Sequence, residues 1–246
     1  MSILAQWCSF HRPGMHGFVS GVKRLLTSVG IAAALIGCCT EPAWNGKPLS
    51  AWLGQLNDLH QNRSDEAEGA LRRIGTNAIP YLVTLLAATP PSFGEGLGEK
   101  QSEAVLAFRI LGNSAAQSLP TLGKLLTNDA VGVSLDPYPI AQSMAGIGQD
   151  SEQWLVRGLG DSRSNIRCAS LLGLIDLGEK AEDAIPSVLE RLRDDDPDVR
   201  GFALFFVCSV SKDKNFKRSL CTSALQDPVP HVRRLAEKEL AKLGVQ

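Results

Sequence analysis

Apolar side chains recur along this chain in pairs three residues apart, each pair ending one residue before a small residue. Leu71 and Ile74 precede Gly75, Phe108 and Leu111 precede Gly112, and Met144 and Ile147 precede Gly148. The arrangement returns as Leu174 and Leu177 before Gly178, Val207 and Val210 before Ser211, and Leu240 and Leu243 before Gly244. Positions i and i+3 lie on one face of a helix, so each pair marks the buried side of a first helix. The glycine that follows suits a helix end in the left-handed conformation, which a Cβ would penalise. Second helices are predicted after these turns at Ala78–Leu86, Gln117–Leu126, Glu152–Leu159, Ala184–Leu192 and Asn215–Leu225. Pro80, Pro120 and Pro186 stand near their starts, where a missing N–H is tolerated. Long alternating runs of β-branched or aromatic residues are missing, so the predicted class is all-α.

A second pattern is polar. Asp161, Asp194 and Asp227 are spaced by 33 and 33 residues, and each is followed six positions later by Arg167, Arg200 and Arg233. Upstream the glycine landmarks drift, with separations of 37, 36 and 30 residues. A single helix pair cannot bury both faces of its apolar stripe, whereas stacked pairs can, so the repeat implies a solenoid.

The segments Asp194-Asp195-Asp196-Pro197-Asp198-Val199-Arg200 and Asp227-Pro228-Val229-Pro230-His231-Val232-Arg233 resemble the Asp-Pro-x-Val-Arg signature of HEAT repeats. Asn77-Ala78-Ile79-Pro80 and Ala184-Ile185-Pro186 resemble the second-helix Ala-Ile-Pro pattern of the bacterial HEAT-like repeats of the phycobilisome-lyase type. The resemblance spans roughly residues 50–246 and is sharpest after 160. It implies a right-handed α-solenoid of about six HEAT-like helix pairs over 48–246. It also implies that Asp161, Asp194 and Asp227 with Arg167, Arg200 and Arg233 form a buried structural ladder between neighbouring units. Second helices usually line the concave side in this family, which makes Tyr81, Lys124, Trp154, Glu190 and Lys217 a candidate binding surface. At the ends, Lys47–Leu56 reads as a lone amphipathic helix covering the first repeat. Glu237-Lys238-Glu239 reads as a charged outward face closing the last.

Residues 22–39 follow a different rule. Lys23 and Arg24 precede about a dozen mostly apolar residues that end in Gly37-Cys38-Cys39. This is the layout of a secretory signal whose apolar stretch is too short to span a bilayer of roughly 30 Å. Leu35-Ile36-Gly37-Cys38 resembles the bacterial lipobox, in which the cysteine is lipidated and the leader is cut before it. The expected organisation is a signal segment over 1–37, a short linker over 38–47, and the repeats after that. Met15 would give a leader of more usual length than Met1. The resemblance implies a membrane-anchored lipoprotein of the cell envelope facing the periplasm or exterior; an uncleaved or cytoplasmic segment is the alternative.

The first 37 residues carry three cations and no acid, so of 25 basic and 26 acidic groups the remainder keeps 22 and 26. A nucleic-acid partner is not expected without a basic surplus to neutralise phosphates. Candidate chemistry is sparse. His60 and His231 are the histidines beyond the leader, and neither has a partner spaced for a catalytic triad or a metal site. His231 falls in a column that is usually solvent-facing. Cys168, Cys208 and Cys221 form no Cys-x-x-Cys pair; they read as small buried hydrophobes, with a Cys168–Cys208 or Cys208–Cys221 disulfide open in an oxidising compartment. Gly94–Gly98 lacks the Lys-Ser/Thr ending of a phosphate loop, and Asp194–Asp196 reads as a helix start. Thr89–Lys100 and Thr127–Pro139 lengthen two units and could form a binding rim. These readings predict a non-enzymatic protein-interaction scaffold with no cofactor, metal or small-molecule substrate. An accessory or lyase-like enzyme subunit is the alternative.

Overall fold

The computed structural model describes residues 41–56, 61–88, 97–127 and 135–244. The signal segment, Cys38 and His60 lie outside the described residues, as do most of the two lengthened loops. The described part begins with a small antiparallel hairpin, β1 (Ala43–Trp44) and β2 (Lys47–Pro48), which the sequence reading did not anticipate. Its turn is Asn45-Gly46 with φ of 50° and 72°, the two-residue geometry that matches strand twist. The helix expected over Lys47–Leu56 is therefore shorter: α1 (Leu49–Leu53), which buries Leu49, Trp52 and Leu53.

First helices then alternate with second helices. The first helices are α2 (Gln61–Ile74), α4 (Leu97–Leu111), α6 (Pro137–Ile147), α8 (Ser164–Leu177), α10 (Pro197–Val210) and α12 (Pro230–Lys242). The second helices are α3 (Ile79–Ala87), α5 (Leu119–Thr127), α7 (Glu152–Gly158), α9 (Ile185–Arg191) and α11 (Lys214–Ala224). Five complete pairs and one closing first helix make the described stack, an α-solenoid. 3-10 segments of three to seven residues, at Gly75–Ala78, Gly112–Ser118, Gln149–Ser151 and Gly178–Ala184, lead into the first four second helices.

Gly75, Gly112 and Gly178 sit at φ of 59°, 52° and 61°, positive values that end a helix and that a Cβ would penalise. Ser211 occupies the corresponding place after α10 but is extended (φ −63°, ψ 139°), so that helix stops without a left-handed residue. Asp196 caps α10 by accepting from the amides of Asp198 (2.9 Å) and Val199 (3.4 Å), with Pro197 opening the helix.

First helices form one layer, each packed on the next from α2 to α12. Each second helix from α3 onward leans on the first helix of the following unit. The ten landmark side chains from Leu71 and Ile74 to Val207 and Val210 are buried, and five of them, Leu71, Phe108, Met144, Leu174 and Val207, are fully enclosed. One apolar core runs continuously from Leu49 to Val210. A separate smaller core of Leu204, Cys208, Cys221, Leu235 and Ala236 joins α10, α11 and α12. At that end the charged outward face is narrower than Glu237-Lys238-Glu239. Glu237 and Lys238 are exposed, but Glu239 is buried and bonded to Lys242 at 2.6 Å. On α12 the residue at i+3 can reach it, which a column-by-column reading of one unit against another does not consider.

Candidate functional site

The loops that enter α8, α10 and α12 repeat one construction. In each, an aspartate accepts a hydrogen bond from the amide two residues on: Arg163 to Asp161 (3.0 Å), Asp196 to Asp194 (3.1 Å) and Val229 to Asp227 (2.9 Å). In each, an arginine six residues after that aspartate clamps the loop's own carbonyls. Arg167 Nη1 donates to Asp161 and Ser162, Arg200 Nη1 to Asp194 and Asp195, and Arg233 Nη1 to Asp227 and Pro228, at 2.6–3.1 Å. The rest of the guanidinium forks onto the next unit. Arg167 meets Asp194 at 2.9 and 2.6 Å, and Arg200 meets Asp227 at 2.7 and 2.9 Å. These pairs are largely enclosed, with side-chain exposures of 12% and 5%, and of 12% and 10%. The Arg200 hydrogen bonds hold the Asp227 carboxyl below its usual range.

Two members of the column stand apart from this pairing. Asp161 is gripped by Arg163 of its own loop through Nε and Nη2, both at 2.9 Å, and that grip lowers its carboxyl pKa. The position that would reach it from the unit before, eleven residues ahead of Gly148, is Pro137. Arg233 has no following unit among the described residues. Arg163 was the residue missed by a reading based on columns, because it does not recur: the corresponding positions hold Asp196 and Val229.

Tyr81, Lys124, Trp154, Glu190 and Lys217 fall one on each of α3, α5, α7, α9 and α11. Lys124 and Glu190 are exposed, and Tyr81, Trp154 and Lys217 are half-buried. Trp154 is packed as well as partly open: a Cβ on Gly123 would stand 2.5 Å from its ring, and the Arg157 guanidinium lies 4.6 Å from the ring centroid. It joins α5 to α7 and is not a free anchor.

A groove of about 810 Å³ opens beside the glycine turns of the second and third units. Its charged wall consists of Arg109, Asp150, Asp176 and Lys180, with the backbone of Gly112 and Gly148 between them. Asp176 is exposed by area, yet the groove walls partly desolvate its carboxylate and raise its pKa, with Arg109 opposing. Two cations and two carboxylates can bind a polar chain segment; the Gly148 amide is taken by the Ala145 carbonyl at 3.1 Å. The glycine landmarks mark this groove in the sequence, but they were read only as helix ends.

Other chemistry-bearing groups have local partners. Asp136 caps α6 by accepting from the Tyr138 amide at 3.0 Å. His231 is half-buried, not solvent-facing, with Nε2 3.2 Å from Asp198 Oδ1. Burial pushes the Cys168 thiol up to about 12, so it is not a thiolate nucleophile at neutral pH. Among the described residues no group of three His, Cys, Asp or Glu side chains is placed to hold a metal ion. Among them, too, no helix is long and apolar enough to cross a membrane.

No protein-family model matches the chain, and no curated protein matches its sequence. Solved structures with a general likeness include Escherichia coli YibA, at 16% identity over 90% of this chain and 77% of that one, with a TM-score of 0.44. The CpcE–CpcF complex of phycocyanin lyase from Nostoc sp. PCC7120 is 20% identical over 85% of this chain and 82% of that chain, with a TM-score of 0.42. A computationally designed armadillo repeat protein for modular peptide recognition is 18% identical over 78% and 98%, with a TM-score of 0.39. At these scores the likeness is loose, and the helical-repeat fold rests on the packing described above.

Proposed function

We propose that this chain is a non-enzymatic interaction scaffold, held at a membrane of the cell envelope by a lipid on Cys38, whose second helices meet a protein partner. The carrying observation is the row of Tyr81, Lys124, Trp154, Glu190 and Lys217. One side chain comes from each of five successive second helices, and none of the five is fully buried. Such a row offers charge and aromatic surface across several units, the way a solenoid spreads a contact over many weak sites. The anchor is supported by Lys23-Arg24, the apolar run after them and Leu35-Ile36-Gly37-Cys38. A multiply acylated cysteine anchors durably where one acyl chain would not.

Two measurements test the two halves. Intact mass and detergent partition of the chain, expressed in a bacterium that processes lipoproteins, should show loss of residues 1–37 and gain of acyl chains. An unmodified chain in the aqueous phase sinks the anchor. Photo-crosslinkers placed in turn at Lys124, Glu190 and Lys217 should capture one common protein, and a crosslinker at exposed Lys238 should not capture it. If all four positions trap the same set of proteins, the second-helix face is not the docking surface.

The groove beside Arg109 and Asp176 favours one other reading, an accessory or lyase-like enzyme subunit that holds a small molecule. Mass and absorbance of anything retained through purification separate the two: a bound chromophore or metabolite supports the subunit, and a bare chain supports the scaffold.

A further inference from the structure

The second helix α11 is seated differently from the others. Its first turn is capped by Asp213, which accepts from Asn215 (2.8 Å) and Phe216 (3.1 Å), but its packing is thin. Among its eleven residues Cys221 alone is buried; Phe216, Lys217, Leu220 and Ala224 are half-buried and the remainder are exposed. The neighbour of Cys221 is Cys208 on α10, with the two sulfurs 3.3 Å apart. Both belong to the small core that joins α10, α11 and α12, apart from the long core of the stack. Cys168, the other described cysteine, lies on α8 within the long core and has neither sulfur as a partner.

We propose that Cys208 and Cys221 form a disulfide in the mature protein and that this bond fastens α11 to α10. A bonded pair stands about 2.05 Å apart, so closure draws the two sulfurs together by little more than 1 Å, a motion within reach of side-chain rotation. The bond would close a loop across the Ser211–Asp213 connection, with thirteen residues of separation between the cysteines. Cross-linking of that kind restricts the unfolded chain and adds stability to a helix that buries a single side chain.

The reaction is thiol–disulfide exchange with a disulfide-bearing oxidant of the compartment. One cysteine thiolate attacks a sulfur of that disulfide, forming a mixed disulfide and expelling a thiolate. The other cysteine, as thiolate, then attacks the sulfur of the first and expels the second thiolate. The two thiols lose two electrons and two protons, and the oxidant's disulfide becomes two thiols. Burial raises both thiol pKa values, so the folded pair reacts slowly and the bond forms as the chain folds, before α11 is seated. Glu239, buried on the α12 face of the same core, opposes thiolate formation at both sulfurs, while Lys217 favours it. Occurrence in the cell rests on the proposed export, since reducing compartments keep such pairs as thiols; the pairing itself does not.

The test separates these two dependencies. The purified chain is reduced and unfolded, then refolded in a glutathione thiol–disulfide buffer, alkylated and digested with trypsin without reductant. The expected product is a cross-linked pair of peptides, 201–212 joined to 219–233 and two hydrogen atoms lighter than their sum, with Cys168 alkylated. The oxidised chain should melt higher than the same chain after reduction, and Cys208→Ala/Cys221→Ala should show no such difference. Recovery of both peptides alkylated or glutathionylated overturns the pairing, as does a link from either cysteine to Cys168. Equal melting of the oxidised and reduced chains overturns the fastening role. The same digest on chain taken directly from cells reports on export: linked peptides support it, and a pair that links in the buffer but stays reduced in the cell counts against the exported location while leaving the pairing intact.

Discussion

The units on either side of residue 160 are joined in different ways. After it, loop geometry, helix start and neighbouring unit are fixed by one recurring arginine, which clamps two carbonyls of its own loop and forks onto the next unit's aspartate. Before it, Arg72 Nη1 donates to the Ile110 carbonyl at 3.3 Å, but no arginine–aspartate fork is found among the described residues and the closest joints rest on shape. The ring of Trp154 fits where Gly123 has no side chain, and the Arg109 backbone comes within 3.1 Å of where a Cβ on Gly146 would stand. The spacing shows why. A fork reaches its partner only if loop and helix lengths repeat, which holds at 33 and 33 residues but not at 37, 36 and 30. Polar joints thus enforce a period, and apolar joints tolerate the longer and less regular spacings upstream.

The largest effect should come where both kinds of joint depend on the same layer. Leu174 is fully buried on α8, between α6 and α10. Leu174→Asp places an unpaired charge there at a cost of several kcal/mol, comparable to the whole stability of a small domain. Circular dichroism should show the cooperative melt lost; a melt like that of the parent would mean the first-helix register is misplaced.

Next is the fork. Arg200→Ala leaves the largely enclosed Asp227 without its partner and frees the Asp194 and Asp195 carbonyls, which should cost about 3 kcal/mol. Arg200→Lys keeps the charge but loses the two-pronged geometry, and should recover about half of that. Urea melts of the three proteins check the order. Should Arg200→Ala match the parent within error, the fork is ornament and the 33-residue period needs another cause.

Gly123→Ala probes the shape-based joint. Its Cβ would meet the Trp154 ring at 2.5 Å, so α5 and α7 must part or the ring must turn, at about 1–3 kcal/mol. Trp154→Leu alone also destabilises by removing buried ring, but the two changes together should cost less than their sum. Strict additivity would show that the indole does not rest on Gly123.

How much of this was legible follows the same divide. The Asp and Arg columns could be read because a fixed period makes polar residues coincide, and the first-helix faces could be read because apolar pairs sit three apart. The joints before 160 could not: Trp154 against Gly123 is a contact between helices whose offset the sequence does not print. The hairpin had a signal, Asn45-Gly46 between Trp44 and Lys47, but strands of two residues carry no alternation to support it. Arg163 escaped because its role arises from what is missing, an arginine at Pro137, and the groove because its walls come from three separate units.

Arg163 offers the smallest and most selective test, because it stands at the junction between the two regimes. It grips Asp161 from the same loop and also donates to the Thr127 carbonyl at the end of α5, at 3.1 Å. Its side chain is 35% exposed, so solvent screens the pair, and Arg163→Ala should cost about 1 kcal/mol or less at pH 7. The Arg163 hydrogen bond lowers the Asp161 carboxyl in the folded chain. A depressed carboxyl contributes stability above its unfolded value, about 3.9, and loses it as pH falls through the lower folded value. The gap between parent and Arg163→Ala should therefore hold steady down to about pH 4 and close below it, as measured by urea melts at stepped pH. A gap that stays constant into acid would assign Arg163's side-chain contribution to the Thr127 carbonyl, and Asp161 would then be held by the Arg163 backbone amide.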